Sequence, residues 1–270
     1  LGGFSKEGWK TLTGRVDPVK HTDSKNGNNT ANGKLAVRTR GFDIELVFND
    51  NVPQAWRDSA QEAVERWEEI VVGDLPDIPS RKFSPGACLE GSGRSGNRGV
   101  DDLVVQVVID SFEPGIDGRG MSCQVRNGEH DDHPGTSFTG RVRLDPDQDH
   151  LAFTLLHELG HVLGLVGNEN FSSREYKPVK VAAADGDWRY RGPMATGLYR
   201  DQTSASSSYI PMGEDSSHWP GRIFAGGQDL MGALEAANGA GITRLSAAAL
   251  ADVYQAVNLR AARPVELMAY

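Results

Sequence analysis

The segment HELGH, residues 157–161, constrains this chain more than any other part of its sequence. His157 and His161 are four residues apart, and on an α-helix this spacing places both imidazoles on one face. Two neutral imidazoles on a rigid backbone can share one zinc ion, which lowers the pKa of a bound water toward about 7. Glu158 can then accept the proton of that water as it attacks a carbonyl carbon. The pattern predicts a catalytic zinc site.

The residues around HELGH favour this interpretation over an ordinary amphipathic helix with surface histidines. The segment LAFTLLHELGHVLGL, residues 151–165, is mostly apolar and predicts a helix whose polar face is little more than the motif itself. Asp149 is the expected N-cap of this helix, and Gly164 is its expected end signal.

A catalytic zinc ion needs a third protein ligand and an open fourth position. The compact metzincin pattern would place a third histidine six residues after His161, but position 167 is glycine. A gluzincin-like site would instead use a carboxylate, Glu214 or Glu235. The remaining histidines are His21, His130, His133, His150 and His218.

The segment IPMGEDSSHWPGRIFAGGQDLMGA, residues 210–233, contains His218 and Met231 in that order. HELGHVLG, HW and LM in this succession resemble the leishmanolysin family of zinc proteases. RWEEIVVGDLPDI, IDG, RGPMAT and ITRLSAAALADV are further similar segments, and the resemblance covers roughly residues 42–258. The chain departs from the protozoan members in having only two cysteines and no additional C-terminal domain, so it looks like a small, bacterial-type member.

The resemblance implies a zincin or metzincin-like catalytic domain with His157, His161 and His218 as zinc ligands and Glu158 as general base. Met231 would form a Met-turn, an apolar floor beneath the histidines. From the residues alone, His218 is also compatible with a loop histidine that pairs with an acidic neighbour, Glu214 or Asp215.

Periodicity predicts an α+β fold with a mixed sheet, because strands precede the central helix and no alternating βαβ pattern occurs. We expect a helix from Pro53 that stops before Gly73, and a last helix within 242–257 that begins near Ser246. We expect strands over 42–48, 103–109 and 139–145, and loops over 84–100, 114–136 and 168–230. Strand 139–145 is the expected edge strand, where an extended substrate could pair by β-addition.

Three regions follow from these patterns. Residues 1–40 form a polar N-terminal arm with a loop over 25–34, KNGNNTANGK. Residues 41–167 form a catalytic subdomain that ends in the HExxH helix. Residues 168–270 form a C-terminal subdomain, mostly loop and helix, with the third ligand and the Met-turn.

Charge and cysteine content limit the partners and the compartment. The chain carries 28 basic and 37 acidic residues, a net charge of −9, which argues against nucleic acid as a partner. No apolar run is long enough to span a membrane. Cys88 and Cys123 lie in loops rich in Gly and Ser, which suits a disulfide in an oxidising compartment, although two unpaired thiols remain the alternative. We therefore expect a secreted monomer whose targeting segment is absent from this chain.

Three further groups are candidates for the site. His130 and His133 in EHDDH could bind a second metal, but an exposed polar loop is the preferred interpretation. DPDQD, residues 145–149, could hold calcium, but it lacks the Gly and terminal Glu of an EF-hand loop, so helix capping is preferred. The residue that stabilises the oxyanion is open among Tyr190, Tyr199 and Tyr209.

The sequence thus predicts a zinc-dependent endopeptidase that hydrolyses protein or peptide substrates through a metal-activated water. The alternatives are a gluzincin-like peptidase or amidase with a glutamate as third ligand, and a non-catalytic binding protein that keeps the zinc fold as a scaffold.

Overall fold

The computed structural model describes residues 8–15, 30–37, 41–80, 86, 88–94, 98–126, 134–166, 180–182, 187–213, 217–225, 229–232, 240–254 and 256–269. The chain divides into two compact units, residues 1–41 and residues 42–270.

The first unit contains an antiparallel pair of strands, β1 (Gly8–Arg15) and β2 (Thr30–Val37). The loop predicted for 25–34 is wrong over residues 30–34, which lie in β2, and residues 25–29 lie outside the described residues. Gly and Asn disfavour a strand only weakly, and the hydrogen-bond ladder with β1 outweighs that preference.

The second unit is α+β and is built on a mixed sheet of four strands in the order β3-β4-β6-β5. β3, β4 and β6 are parallel, and β5 runs antiparallel to β6 at one edge. The three predicted strands are confirmed with small shifts of their ends. The strands are β3 (Ile44–Phe48), β4 (Leu103–Ile109), β5 (Gly118–Val125) and β6 (Ser137–Leu144).

Strand β5 corrects two predictions. The pattern predicts a loop over 114–136, but residues 118–125 of it form β5. It also predicts strand 139–145 at the edge, but the corresponding strand β6 is interior and β5 lies at one edge. Gly118 and Gly120 weaken the strand signal because glycine loses the most entropy on ordering. In the fold these glycines are needed: a Cβ on Gly118 would lie 2.8 Å from Cγ2 of Thr154, and one on Gly120 would collide with the backbone of Glu158.

Two helices pack beside the sheet: α1 (Gln54–Glu68), which begins after Pro53, and α2 (Leu151–Val162). α2 contacts α1, β5 and β6. The indole Nε1 of Trp67 on α1 donates to the Leu156 carbonyl at 2.9 Å, and the Trp67 side chain is fully buried. The helix that carries HELGH, α2, therefore packs between the sheet and α1.

Of the two predictions for the ends of α2, the N-cap is wrong and the end signal is confirmed. The N-cap is His150, without a side-chain cap, so the assignment to Asp149 is wrong. The His150 carbonyl accepts from the Thr154 N–H at 2.9 Å and from the Thr154 hydroxyl at 3.1 Å at the start of the helix. Gly164 has φ +97° just beyond the helix, which confirms it as the end signal.

Beyond α2, the loop predicted for 168–230 is wrong where the structure has a helix and short strands. Pro193 begins α3, and the Asp252 carboxylate, 57 or more residues away, accepts from Met194 N at 2.6 Å and Ala195 N at 3.2 Å. A cap supplied from so far along the chain leaves no local signal. These elements are β7 (Lys180–Ala182), β8 (Trp188–Tyr190), α3 (Pro193–Thr203) and β9 (Ile210–Pro211).

The last helix, α4, spans Arg244–Ala251, which is shorter than the predicted 242–257. It begins at Arg244 rather than near Ser246, because the Thr243 side chain caps it by accepting from Leu245 N at 3.2 Å. Among the described helices, none is both long and apolar enough to cross a bilayer.

Candidate metal centre

Three histidines meet at α2: His157 and His161 belong to the helix, and His218 comes from a later segment. Nε2 of His157 lies 3.1 Å from Nε2 of His161 and 3.1 Å from Nε2 of His218. The three ligand nitrogens all lie within 4.8 Å of one another. The structure thus brings His218 back to the helical pair across a long excursion of the chain.

Backbone carbonyls determine the tautomers of the two helical histidines. The Leu230 carbonyl lies 2.7 Å from Nδ1 of His157, and the Leu165 carbonyl lies 3.2 Å from Nδ1 of His161. A carbonyl oxygen can only accept a hydrogen bond, so both Nδ1 atoms carry the proton. In a neutral ring Nε2 is then a bare acceptor, which is the form that binds a metal.

This arrangement fits one metal ion. Two bare nitrogens 3.1 Å apart direct their lone pairs at the same region, and a shared cation removes that repulsion. Nitrogens about 2.0–2.1 Å from a tetrahedral zinc lie roughly 3.3–3.4 Å from each other. The observed spacing is close to that requirement, and an all-imidazole donor set suits a transition metal rather than calcium or magnesium.

The turn after α2 places the carbonyl that holds His161. Gly164 adopts a left-handed conformation, and the Leu165 N–H donates to the Gly160 carbonyl at 2.9 Å. The chain therefore folds back under the helix end, and the Leu165 carbonyl reaches the His161 ring. Gly167, which replaces the histidine of the compact pattern, lies outside the described residues.

His218 is placed by its neighbour Trp219, which is fully buried. The Trp219 N–H donates to the Met231 carbonyl at 2.8 Å, and its indole Nε1 donates to Ser246 Oγ at 3.0 Å. The ring of Tyr190 packs edge-on against Trp219 with centroids 5.2 Å apart. The candidate ligand His218 is thus held in its loop by the buried side chain of the next residue, Trp219.

Met231 packs against the HELGH motif. It is fully buried, and a Cβ on Gly160 would lie 2.7 Å from its sulfur and 3.1 Å from the ring of Trp67. Glycine at position 160 therefore lets Met231 pack against the helical turn between His157 and His161. The role of Met231 as an apolar floor beneath a metal stays a prediction.

Glu158 lies between α2 and the edge strand. Its side chain is largely buried, and its carboxylate accepts a hydrogen bond from the Gly120 N–H of β5. Burial raises the pKa of Glu158 to about 7; Asp117 raises it further, whereas the Gly120 bond and Arg119 lower it. A carboxyl group with a pKa of about 7 can both take and release a proton near neutral pH.

The tyrosines separate into two groups. Tyr190 and Tyr199 are buried, and their hydroxyls donate at 3.1 Å to the carbonyls of Ala249 and Met268 respectively. Both hydroxyls therefore form hydrogen bonds within the fold, to backbone carbonyls of the C-terminal segment. Tyr209 is half-buried with the guanidinium of Arg189 4.4 Å from its ring, and it stays a candidate for the oxyanion.

Cys88 and Cys123 form a disulfide with Cα atoms 6.1 Å apart. Cys123 belongs to β5, so the bond ties the edge strand to the loop that precedes β4. The edge strand beside Glu158 is thus covalently anchored.

The acidic segments have structural partners. The Asp145 carboxylate of DPDQD accepts from Phe112 N and Asp147 N, both at 2.9 Å, which stabilises the turn before α2. A second cluster, Asp74, Asp101 and Asp102, also has the spacing of metal ligands, but Asp102 accepts from two backbone N–H groups. Sequence reasoning missed this cluster because its members come from two distant loops.

Several predicted candidates cannot be placed. His130, His133, Glu214, Asp215 and Glu235 lie outside the described residues.

No protein-family model matches this chain, and no curated protein matches it. Any likeness to a known family therefore depends on the order of motifs, and any function must be inferred from the site.

Proposed function

We propose that this protein is a zinc-dependent endopeptidase with a zincin-type catalytic domain of the leishmanolysin kind. The observation that carries the proposal is the convergence of three imidazole Nε2 atoms, two of them left bare by Nδ1–H bonds to backbone carbonyls. His157, His161 and His218 would hold the ion. When bound, zinc supplies Lewis acidity toward a carbonyl oxygen and lowers the pKa of a coordinated water.

Glu158 would act as the general base. It follows the first ligand on α2, and the Gly120 N–H of β5 holds its carboxylate in one orientation. The low polarity around this side chain raises its proton affinity, so it can retain the proton and pass it to a leaving amine. The disulfide at Cys123 keeps the strand that orients it in place.

A peptide substrate would pair with β5, and not with the strand over 139–145 that periodicity suggests. β5 is one of the two outer strands of the sheet, and an edge strand offers backbone groups to an extended chain. The Gly120 N–H of β5 donates to the Glu158 carboxylate, so this outer strand runs beside the proposed general base. A substrate added there would present its backbone to the site in one register.

The alternatives have less support. A gluzincin-like peptidase or amidase needs a glutamate ligand, whereas the third nitrogen at this site comes from His218. A non-catalytic zinc scaffold has no need for a buried carboxyl group beside its ligands, because such burial is costly without a function. We also propose secretion, since the Cys88–Cys123 disulfide suits an oxidising compartment.

Casein hydrolysis by the purified protein tests the proposal. We expect hydrolysis that stops with a chelator and returns with zinc, together with one tightly bound zinc per chain. A protein that binds no zinc, or that cleaves casein equally well in the chelator, would contradict it. His218→Ala and Glu214→Ala then identify the third ligand, because only the true ligand should lower metal content.

A further inference from the structure

We infer that Asp229 is a positioning residue that orients two of the proposed zinc ligands, His157 and His218, from one buried carboxylate. The inference rests on the proposed function only in that it requires zinc at the three histidines. Asp229 lies two residues before Met231 and is fully buried. It acts through two chains of hydrogen bonds.

The first chain runs through a single peptide group. Oδ1 of Asp229 accepts from the Met231 N–H at 2.7 Å. The carbonyl of that same peptide group belongs to Leu230, and it accepts from Nδ1 of His157 at 2.7 Å. The Asp229 carboxylate and the His157 imidazole therefore bond to opposite sides of one peptide group, between Leu230 and Met231. The orientation of that peptide group thus determines the orientation of the His157 ring.

This line also affects the ligand electronically. A negative charge on the N–H side polarises the peptide, which makes the Leu230 carbonyl a stronger acceptor. A stronger acceptor at Nδ1 raises the basicity of Nε2, as a carboxylate does when it bonds directly to a metal-binding histidine. Asp229 would thus strengthen His157 as a ligand from one peptide further away.

The second chain runs through α4. Oδ1 of Asp229 also accepts from Ser246 Oγ at 2.7 Å, and Ser246 Oγ accepts from the indole Nε1 of Trp219 at 3.0 Å. Trp219 directly follows His218, and its own N–H donates to the Met231 carbonyl. The loop that carries the third ligand is therefore fastened to the same carboxylate.

The chemistry of the site requires an acid at this position. The two oxygens accept from four donors: Met231 N, Thr243 N, Thr243 Oγ1 and Ser246 Oγ. A carboxylate accepts all four, whereas an amide would turn an NH₂ group toward a backbone N–H. Asp229→Asn preserves the size of the side chain and disturbs only this pattern.

Asp102 offers a matched control. It is also fully buried and also accepts from two backbone N–H groups, those of Asp43 and Leu75 at 2.7 and 2.6 Å. Asp102→Asn therefore imposes the same chemical change elsewhere in the core. Both variants should lose stability, but only Asp229→Asn should affect the metal centre.

The experiment measures zinc affinity by competition with a chromophoric chelator, and the imidazole ¹⁵N and Nδ1–H resonances of the zinc-loaded protein by NMR. For Asp229→Asn we expect zinc affinity about 10–100-fold weaker than wild type and a shifted His157 Nδ1–H resonance. For Asp102→Asn we expect both readouts as in wild type. An Asp229→Asn protein with wild-type affinity and an unmoved His157 resonance would overturn the inference, as would equal changes in both variants.

Ser246→Ala provides an independent test if Asp229→Asn fails to fold. This substitution removes the hydrogen bonds that link Asp229 to Trp219 through Ser246 and leaves the Asp229–Met231 hydrogen bond intact. We therefore expect shifted His218 resonances and an unshifted His157 Nδ1–H resonance. Unshifted His218 resonances would remove the second chain of the inference. A wild-type protein that binds no zinc would instead refute the proposed function. The zinc content of the wild type therefore distinguishes failure of the proposed function from failure of the Asp229 inference.

Discussion

Replacing Gly120 with alanine tests the close approach of strand β5 to helix α2. The new methyl group would collide with the backbone of Glu158, and the strand would have to move away from the helix. That movement breaks the hydrogen bond from the Gly120 N–H to the Glu158 carboxylate. The substitution therefore perturbs both the packing of the fold and the orientation of the proposed base.

The expected cost can be worked out from three contributions. Overpacking costs about 1–3 kcal/mol, and the lost hydrogen bond to a charged group costs about 1.5–3 kcal/mol. Alanine recovers about 0.5–1 kcal/mol because it loses less backbone entropy in a strand than glycine. The net prediction is a loss of about 1.5–5.5 kcal/mol in the free energy of unfolding, a large part of the stability of an ordinary domain.

Urea denaturation and casein hydrolysis measure the two effects of Gly120→Ala. Gly197→Ala in α3 is the matched control, because a Cβ there meets nothing within 4 Å. Alanine is favoured over glycine within a helix, so the control should gain up to about 1 kcal/mol and keep its activity. A Gly120→Ala protein as stable and as active as wild type would refute the close approach that the structure describes.

Three other changes have defined outcomes. Glu158→Gln should retain zinc by metal analysis and lose about 10²–10⁴-fold in casein turnover, because it removes only the proton acceptor; substantial residual turnover would mean that another group activates the water. His218→Ala should lower zinc affinity and activity together, whereas His150→Ala, at an N-cap that makes no side-chain bond, should change neither. Burial raises the pKa of Glu68 to about 7, and its carboxylate accepts from Ile44 N. The folded state therefore holds that proton to higher pH than the unfolded state, so the Glu68 contribution to stability falls as pH rises from about 4.5 to 7. Glu68→Gln should flatten that fall in urea titrations at pH 5 and pH 8, and an unchanged pH dependence would contradict the assignment.

The parts of the site that could be predicted from sequence are those with short-range spacing. His157 and His161 are one helical turn apart, so their shared face follows from α-helix geometry alone. LVVQVVI at 103–109 is mostly β-branched and nearly continuously apolar, and it forms the largely buried strand that this composition predicts. Gly164 ends the helix because few other residues adopt a left-handed conformation there at low cost.

Tertiary structure decided the features whose causes lie far away along the chain. Gly118 and Gly120 predict a loop locally, yet they form the edge strand because only glycine lets β5 lie against α2. Helix α3 was missed because its cap is the carboxylate of Asp252. Local preferences of this kind amount to about 1 kcal/mol or less per residue, and packing contacts outweigh them.

The assembly of the metal centre shows the same division. HELGH by itself determined two of the proposed ligands and the adjacent carboxyl group, because their geometry is that of one helix. The third nitrogen required the chain to return through Trp219, Ser246 and Asp229, which are scattered over three segments and meet only in the core. Hydrogen bonds among buried groups are directional, and they form only when the packed elements bring donor and acceptor together. A sequence pattern thus specified the helix that carries two of the three clustered histidines, and the tertiary structure decided how His218 joins them.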